Sequence, residues 1–249
     1  YFQRLDASGR GLRTPQVIFL PLLLALFILG SLMLLLGISG RVPIDQRTWV
    51  LLVPFIQAAL LPFVLRCFGS VVRRWVWWRG QRPSISSRLE AMAMGALTTI
   101  LMFPFVLLIA ALLRQVLSYW DPGLEGEQTA VKEVRAIAQD PQLRWLVVAN
   151  LSFAVPFVEE LWFRGALQST LRHWLAPGWA IAVTSILFGM AHFTVEQGLR
   201  NVEVIGSLFV FSLGVGYVYE RQGSLWAPLA AHGLFNFMSS MAILFGDVG

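Results

Sequence analysis

The chain has 249 residues, of which 57% are hydrophobic and only 13% are charged, with a formal net charge of +5. A soluble domain carries about 25% charged residues, so this composition excludes a soluble globular protein and predicts an integral membrane protein. The arginine excess is therefore better explained by membrane topology than by nucleic-acid binding. The single cysteine, Cys67, excludes an intrachain disulfide and any multi-cysteine metal site.

Seven apolar windows of about 20 residues predict seven membrane-spanning helices. In chain order they cover residues 16–38, 48–66, 90–114, 143–173, 177–197, 202–220 and 225–245. The fourth window is longer than one crossing requires, so we expect this helix to tilt or to emerge from the membrane near its end. Residues 1–3 resemble the remnant of an expression tag and are set apart from functional reasoning.

The charges between the predicted spans indicate an orientation. The loop between the second and third spans is basic, with Arg66, Arg73, Arg74, Arg79, Arg82 and Arg88. The segment after the third span is acidic, with Asp121, Glu125, Glu127, Glu133 and Asp140. The positive-inside rule places the basic loop in the cytoplasm, which puts the N-terminus inside and, after seven spans, the C-terminus outside.

Two connecting segments are predicted to lie at the membrane interface. Residues 71–78 mix arginine with tryptophan, a composition typical of the lipid headgroup zone. Residues 125–139 can form an amphipathic helix on the membrane surface, with Val131, Val134 and Ile137 or Ala138 on one side. An anchor is the simpler interpretation for both segments, and a role in substrate gating stays open for the second.

Three charged residues, Glu159, Glu160 and Arg164, fall inside the fourth predicted span. A charge near the bilayer centre costs about 2.5–3.5 kcal/mol, so such residues usually face a protein interior and serve a function. Positions four apart share one helix face, which pairs Glu160 with Arg164. Glu159 lies about 100° away and is left free to act as a base.

Two further predicted spans each contain a motif of two residues four positions apart that includes a polar side chain. Phe188 and His192 lie in the fifth span, and His232 and Asn236 in the seventh. Counted from the span midpoints, His192, His232 and Asn236 lie within about 8 Å of the depth of Glu159, so we expect these four residues to meet in one buried chamber. Each of these residues could instead have a purely structural role. A histidine or asparagine within the membrane can form a hydrogen bond between helices, and Glu160 with Arg164 can be a structural ion pair.

Together these three motifs resemble the CAAX protease and bacteriocin-processing family, which includes the type II CAAX prenyl endopeptidases and abortive-infection proteins. The family pattern is Glu-Glu-x-x-x-Arg, then Phe-x-x-x-His, then His-x-x-x-Asn, and residues 223–228 also look like its lead into the last motif. The resemblance covers roughly residues 150–240 and implies an all-α bundle of about seven transmembrane helices, with one or two interfacial helices and a membrane-embedded polar cavity. Residues 4–142 would then form the N-terminal helices and interfacial segments, and 143–245 the catalytic core, in one integrated domain.

The resemblance implies an intramembrane endopeptidase that activates water with a glutamate. It assigns catalysis to four residues: Glu159 and His192 for the water, and His232 and Asn236 for the oxyanion. Glu160, Arg164 and Phe188 would support them. Such chemistry needs a base and oriented hydrogen-bond donors, which these side chains can supply.

No cofactor is expected, but a zinc variant remains open. Glu159, His192 and His232 would suffice as three zinc ligands with one open position, although the chain has no His-Glu-x-x-His sequence. A transporter, proton relay or immunity factor that uses the same carboxylates is the alternative outside proteolysis. The expected partners are membrane lipid and a protein or peptide substrate, either lipid-modified or membrane-tethered, with no nucleic acid. The expected location is a bacterial inner membrane.

Overall fold

A computed structural model describes residues 84–121 and 127–246, and most of these residues are helical, with no β-strand among them. The described part contains four helices long and apolar enough to cross a membrane, and one shorter apolar helix. The prediction of an all-α membrane protein is therefore confirmed. The predicted spans 16–38 and 48–66, the segment 71–78 and Cys67 lie outside the described residues.

Helix α1, Ile85–Trp120, is longer than the predicted span 90–114. It begins where the Ser84 side chain accepts a hydrogen bond from the Ser87 backbone N–H, an N-cap that apolar windows do not detect. Its buried residues are spaced along one stripe and most are small: Ala91, Gly95, Thr99 and Val106. This stripe packs closely on another helix, while the large apolar residues elsewhere on α1 stay exposed for contact with lipid.

Helix α2, Thr129–Ile137, is shorter than the amphipathic segment predicted at 125–139, of which residues 125–126 lie outside the described part. The predicted apolar side of this helix is confirmed, because Val134, Ile137 and Ala138 are buried. Val134 and Ile137 pack with Val147, and Leu143 and Ile243 lie against them. The apolar side of α2 therefore faces other helices of the protein.

Helix α3 runs without a break through residues 141–171, close to the predicted 143–173, but its winding changes along its length. The α-helical segment Val155–Glu160 lies between two π-helical segments, Asn150–Ala154 and Leu161–Gln168. In the first of these the Val155 N–H donates to the carbonyl of Asn150, five residues back. All eight residues of the second segment are buried, so protein surrounds this part of α3 on every side.

Helix α4, Pro177–Met190, ends well before the predicted limit at residue 197. The chain continues into a turn and a short 3₁₀ helix, Val195–Gln197, and then passes through Gly198, whose φ of +50° favours glycine. The prediction that His192 lies within a helix is therefore wrong. At 14 residues, α4 is also too short to cross a bilayer as a straight helix.

Helices α5, Arg200–Gln222, and α6, Trp226–Phe245, lie close to the predicted spans 202–220 and 225–245. Gly223 separates them in the left-handed conformation typical of a helix C-terminus, with φ +59°. Helix α1 packs along both, α4 packs along α5, and α3 contacts α4, α5 and α6. The main core lies where these helices meet, around Leu161, Phe188, Phe211 and Phe235.

The close contact between α1 and α6 depends on Gly95. A Cβ atom at this position would collide with the backbone carbonyl of Ala227, and Thr99 one turn later donates to the Ala231 carbonyl at 2.6 Å. We expect Gly95→Ala to lower the free energy of unfolding by about 1–3 kcal/mol, because backbone must move to admit the methyl group. Thermal or denaturant unfolding in detergent micelles measures this. Gly178→Ala is the matched control, since nothing lies within 4 Å of a Cβ there. Equal stability of the two variants would contradict the packing argument.

Candidate active site

Three helical segments bring the predicted site residues together. Glu159, Glu160 and Arg164 lie on α3, at the junction between its α-helical segment and the second π-helical segment. Phe188 lies near the end of α4 and His192 just beyond it. His232 and Asn236 lie on successive turns of α6. Because α3, α4 and α6 meet in the core, residues more than 70 positions apart in the chain become neighbours.

A fully buried charge cluster forms the base of the site. The side chains of Glu160 and Arg164 are 0% exposed, and the Arg164 guanidinium donates to Glu160 Oε1 at 3.1 Å. His232 Nδ1 donates to the same oxygen at 2.7 Å. One carboxylate oxygen thus accepts from two helices. The spacing of four residues predicted the first contact, whereas the contact with His232 was not predicted.

Arg164 has two further contacts that fix its position. Its Nη2 donates to the Ser212 hydroxyl at 2.8 Å and to the Ser212 carbonyl at 3.1 Å. The guanidinium carbon lies 5.0 Å from the centre of the Phe188 ring, within the range of a cation–π interaction. Sequence reasoning missed Ser212, although a serine within the apolar sixth span is a visible signal.

The polar contact between α3 and α5 extends beyond Arg164. Gln168 donates to the Gly216 carbonyl at 3.1 Å and to Glu220 at 3.0 Å, and Arg172 pairs with Glu220 at 3.2 Å. Arg164, Gln168 and Arg172 recur every four positions along the sequence, so this spacing could have predicted that they share one helix face. They hold α3 against α5 from the site to the end of the helix.

Glu159 faces the two histidines. Its Oε1 lies 3.9 Å from His192 Nε2, and its Oε2 lies 3.7 Å from His232 Nε2. These distances are too long for direct hydrogen bonds, but a small polar group can contact all three side chains. The Glu159 side chain is 23% exposed, in contrast to fully buried Glu160, and its buried Oε2 receives no hydrogen bond from any residue in the described ranges. The two adjacent carboxylates therefore occupy different environments.

Hydrogen bonds determine which nitrogen of each histidine faces Glu159 as an acceptor. His192 Nδ1 lies 2.9 Å from the carbonyl of Phe188, and His232 Nδ1 lies 2.7 Å from the Glu160 carboxylate. Both partners can only accept, so each Nδ1 must carry the proton. In the neutral rings both Nε2 atoms then carry a lone pair, and both point toward Glu159.

Aromatic rings hold the two imidazoles in place. Phe188 is fully buried, with its ring centre 5.0 Å from that of His192 and 5.7 Å from that of His232. Phe211 of α5 packs on the other side of His232 at 5.3 Å. Because both rings are apolar, they exclude water from the back of the site and leave Nε2 as the accessible atom of His232.

Asn236 has a different partner from the one expected. Its side-chain amide donates to the backbone carbonyl of Leu151 on α3 at 2.8 Å. The sequence predicted that this amide and His232 would together stabilise an oxyanion. In the structure one of its two amide protons is directed at the helix backbone.

The zinc alternative can be compared with this geometry. Tetrahedral zinc with ligands at about 2.0–2.2 Å would need the imidazole nitrogens and the Glu159 oxygens about 3.4 Å apart. The observed separations are 3.9 and 3.7 Å. Within residues 84–121 and 127–246, no group of three or more His, Cys, Asp or Glu side chains is placed to hold a metal ion. The donors have the right chemistry for zinc, and their separations are a few tenths of an ångström longer than this ideal value.

Comparison with known proteins points to one family. Residues 141–238, which include all seven predicted site residues, match the Rce1-like family of type II CAAX prenyl endopeptidases. The chain is 27% identical to human CAAX prenyl protease 2 over 114 residues, which is 41% of this chain and 34% of that protein. It is 29% identical to the uncharacterized protein YpbD of Bacillus subtilis (strain 168) over 99 residues, which is 39% of this chain and 46% of YpbD.

These matches cover less than half of each relative. The aligned segment spans about a third of the human protein and just under half of YpbD. No solved structure matches the chain significantly.

The buried cluster predicts a large stability effect. Glu160→Gln removes the negative charge beside Arg164 without changing side-chain size, and we expect a loss of about 3–5 kcal/mol in the free energy of unfolding. Unfolding in detergent micelles measures it. Glu127→Gln is the control, because the Glu127–Arg135 pair is 33% and 39% exposed and its loss should cost at most about 1 kcal/mol. Similar losses for the two variants would show that burial does not strengthen the inner pair.

Proposed function

Since residues 141–238 belong to the Rce1-like family of type II CAAX prenyl endopeptidases, we propose that the chain is an intramembrane endopeptidase. It hydrolyses a peptide bond near a membrane-proximal or C-terminal segment of a protein or peptide substrate. The observation that supports this best is the position of the Glu159 carboxylate, 3.9 and 3.7 Å from two imidazole Nε2 atoms. A partly exposed base between two oriented rings is what hydrolysis by activated water requires.

In this proposal Glu159 is the general base. A water molecule between Glu159 and His192 donates one proton to the carboxylate and directs the other toward the Nε2 lone pair of His192. As Glu159 takes its proton, the water oxygen forms a bond to the carbonyl carbon of the substrate. His192 therefore orients the water, and its bond to the Phe188 carbonyl keeps the correct nitrogen turned inward.

His232 is the proposed donor to the oxyanion. Its Nδ1 proton is already used by Glu160, so donation from Nε2 requires the doubly protonated ring. The Glu160 carboxylate supports that positive charge. With His232 charged, the four groups Glu159, Glu160, Arg164 and His232 carry no net charge.

Collapse of the tetrahedral intermediate completes the reaction. The carbon–nitrogen bond breaks, and Glu159 returns its proton to the leaving amine. The products are a new carboxyl group, which contains the water oxygen, and a new amino terminus. Glu159 and His232 end in the states in which they began, so neither a cofactor nor a redox partner is consumed.

The substrate class can be approached with defined probes. The human relative is named CAAX prenyl protease 2, so a farnesylated CAAX peptide with a fluorophore near one end and a quencher near the other is the first probe. The same peptide without the farnesyl group tests whether a lipid is needed. YpbD is a bacterial protein, so bacterial cells are the natural setting for comparing protein termini between active and inactive enzyme, which identifies natural substrates.

The assignment of the base gives a direct prediction. Glu159→Gln keeps the size of the side chain but cannot take a proton, so we expect peptide cleavage to fall by a factor of about 10²–10⁴ with unfolding stability retained. Cleavage of the probe and the appearance of new termini in cells both measure the loss. Glu196→Gln, in the exposed turn after His192, is the matched control and should cleave normally. Full activity in the Glu159 variant would remove this residue from the mechanism.

A second prediction concerns metal. Because water activated by Glu159 needs no metal in this proposal, we expect cleavage to survive prolonged treatment with EDTA and with 1,10-phenanthroline. Activity and metal content are measured before and after treatment. Loss of activity that returns on addition of zinc would instead favour the three-ligand arrangement of Glu159, His192 and His232.

A further inference from the structure

One backbone carbonyl of α3 is left without its helical donor. In an α-helix the carbonyl of Leu151 would accept from the N–H of Val155, but that N–H donates to Asn150 in the π-helical segment. The next candidate, five residues along, is Pro156, which has no N–H. Leu151 therefore has a free carbonyl because of two local features, the π register and the proline.

Asn236 supplies the missing hydrogen bond. Its Nδ2 lies 2.8 Å from the Leu151 oxygen. A buried carbonyl without a donor costs about 1–3 kcal/mol, so this contact has a structural reason that is independent of any substrate. The helices can approach closely here because Gly233 has no side chain, and a Cβ there would lie 2.6 Å from the Ser152 carbonyl.

Helix α6 therefore attaches to α3 at two points on either side of Pro156. Asn236 bonds to Leu151, and His232 bonds to Glu160 at 2.7 Å. The segment between these points is the short α-helical stretch Val155–Glu160, which contains Glu159. Fixing both ends of a rigid helical turn fixes its rotation, and this rotation decides whether the Glu159 carboxylate faces the two histidines.

We propose that Asn236 is a positioning residue, whose amide satisfies the Leu151 carbonyl freed by Pro156 and thereby holds Glu159 in line with His192 and His232. The consequence for turnover rests on the proposed peptidase function, whereas the hydrogen bond itself does not. An amide that stabilised the oxyanion would act on the substrate, and its contribution would not depend on the residue at position 156.

The test is a double-mutant cycle between Asn236→Ala and Pro156→Ala. Alanine at position 156 provides an N–H that can donate to the Leu151 carbonyl, five residues back. This is the same spacing as in the observed bond from the Val155 N–H to the Asn150 carbonyl. In the native background we expect Asn236→Ala to lower the unfolding midpoint and to reduce kcat for the farnesylated probe about tenfold to hundredfold, with KM unchanged. In the Pro156→Ala background, the same substitution should change kcat by no more than about threefold and should shift the midpoint much less.

Two controls make the cycle specific. Pro156→Leu supplies the same N–H with a larger side chain, so a packing defect in one proline variant does not decide the result. Asn201→Ala, which removes side-chain bonds to Thr194 and Gly198 far along the chain from Pro156, should have the same effect on the midpoint in each background.

The outcomes separate the two proposals. An equal loss of kcat from Asn236→Ala in all three backgrounds, or no coupling in the unfolding midpoint, would overturn the positioning role. The first result would show that Asn236 acts on the substrate. If the native protein does not cleave peptides at all, the peptidase proposal fails, while coupling of the midpoints still shows that Asn236 satisfies the carbonyl freed by Pro156.

Discussion

The rest of the site depends on the buried contact between Glu160 and Arg164. Removing a carboxylate and a guanidinium from water costs several kcal/mol per ion, and this cost is offset only when geometry and additional hydrogen bonds are favourable. Three neighbouring helices contribute: the Ser212 hydroxyl and carbonyl on α5 and His232 on α6 form hydrogen bonds to the pair, and the Phe188 ring on α4 forms a cation–π contact with Arg164. The requirement to satisfy one ion pair thus brings together the elements that surround Glu159.

The change of helical winding in α3 explains how two adjacent glutamates acquire different surroundings. Glu160 ends the α-helical segment, is fully buried, and is occupied by Arg164 and His232. Glu159 remains partly exposed and faces both Nε2 atoms. π-helical turns are rare, occur often at functional sites and cost helical hydrogen bonds. In this protein the cost is visible at Leu151, and a side chain from another helix compensates for it.

Much of the arrangement of helices and site residues could be predicted from the spacing of residues along the sequence. What could not be predicted has a physical reason in each case. The four-residue interval predicted the contact of Glu160 with Arg164, and apolar windows placed α3, α5 and α6 closely. The end of α4 was missed because Ala191, Phe193 and Val195 continue the apolar residues of the helix, although the backbone turns there. The bond between His232 and Glu160 and the partner of Asn236 depend on the rotation of α6 against α3, which no single-helix pattern contains.

The shortness of α4 has a consequence for the surrounding lipid. Its 14 residues span about 21 Å, whereas the hydrocarbon core is roughly 30 Å thick. Trp174 and Trp179 are exposed around the start of α4, where indole rings favour the headgroup region, so the deficit falls at the end that leads to His192. A helix shorter than the hydrocarbon core can be matched by local thinning of the bilayer, by snorkelling of flanking residues or by oligomerisation. In the proposed peptidase, thinning beside His192 would shorten the path of an extended peptide through lipid, where its backbone groups cannot be satisfied.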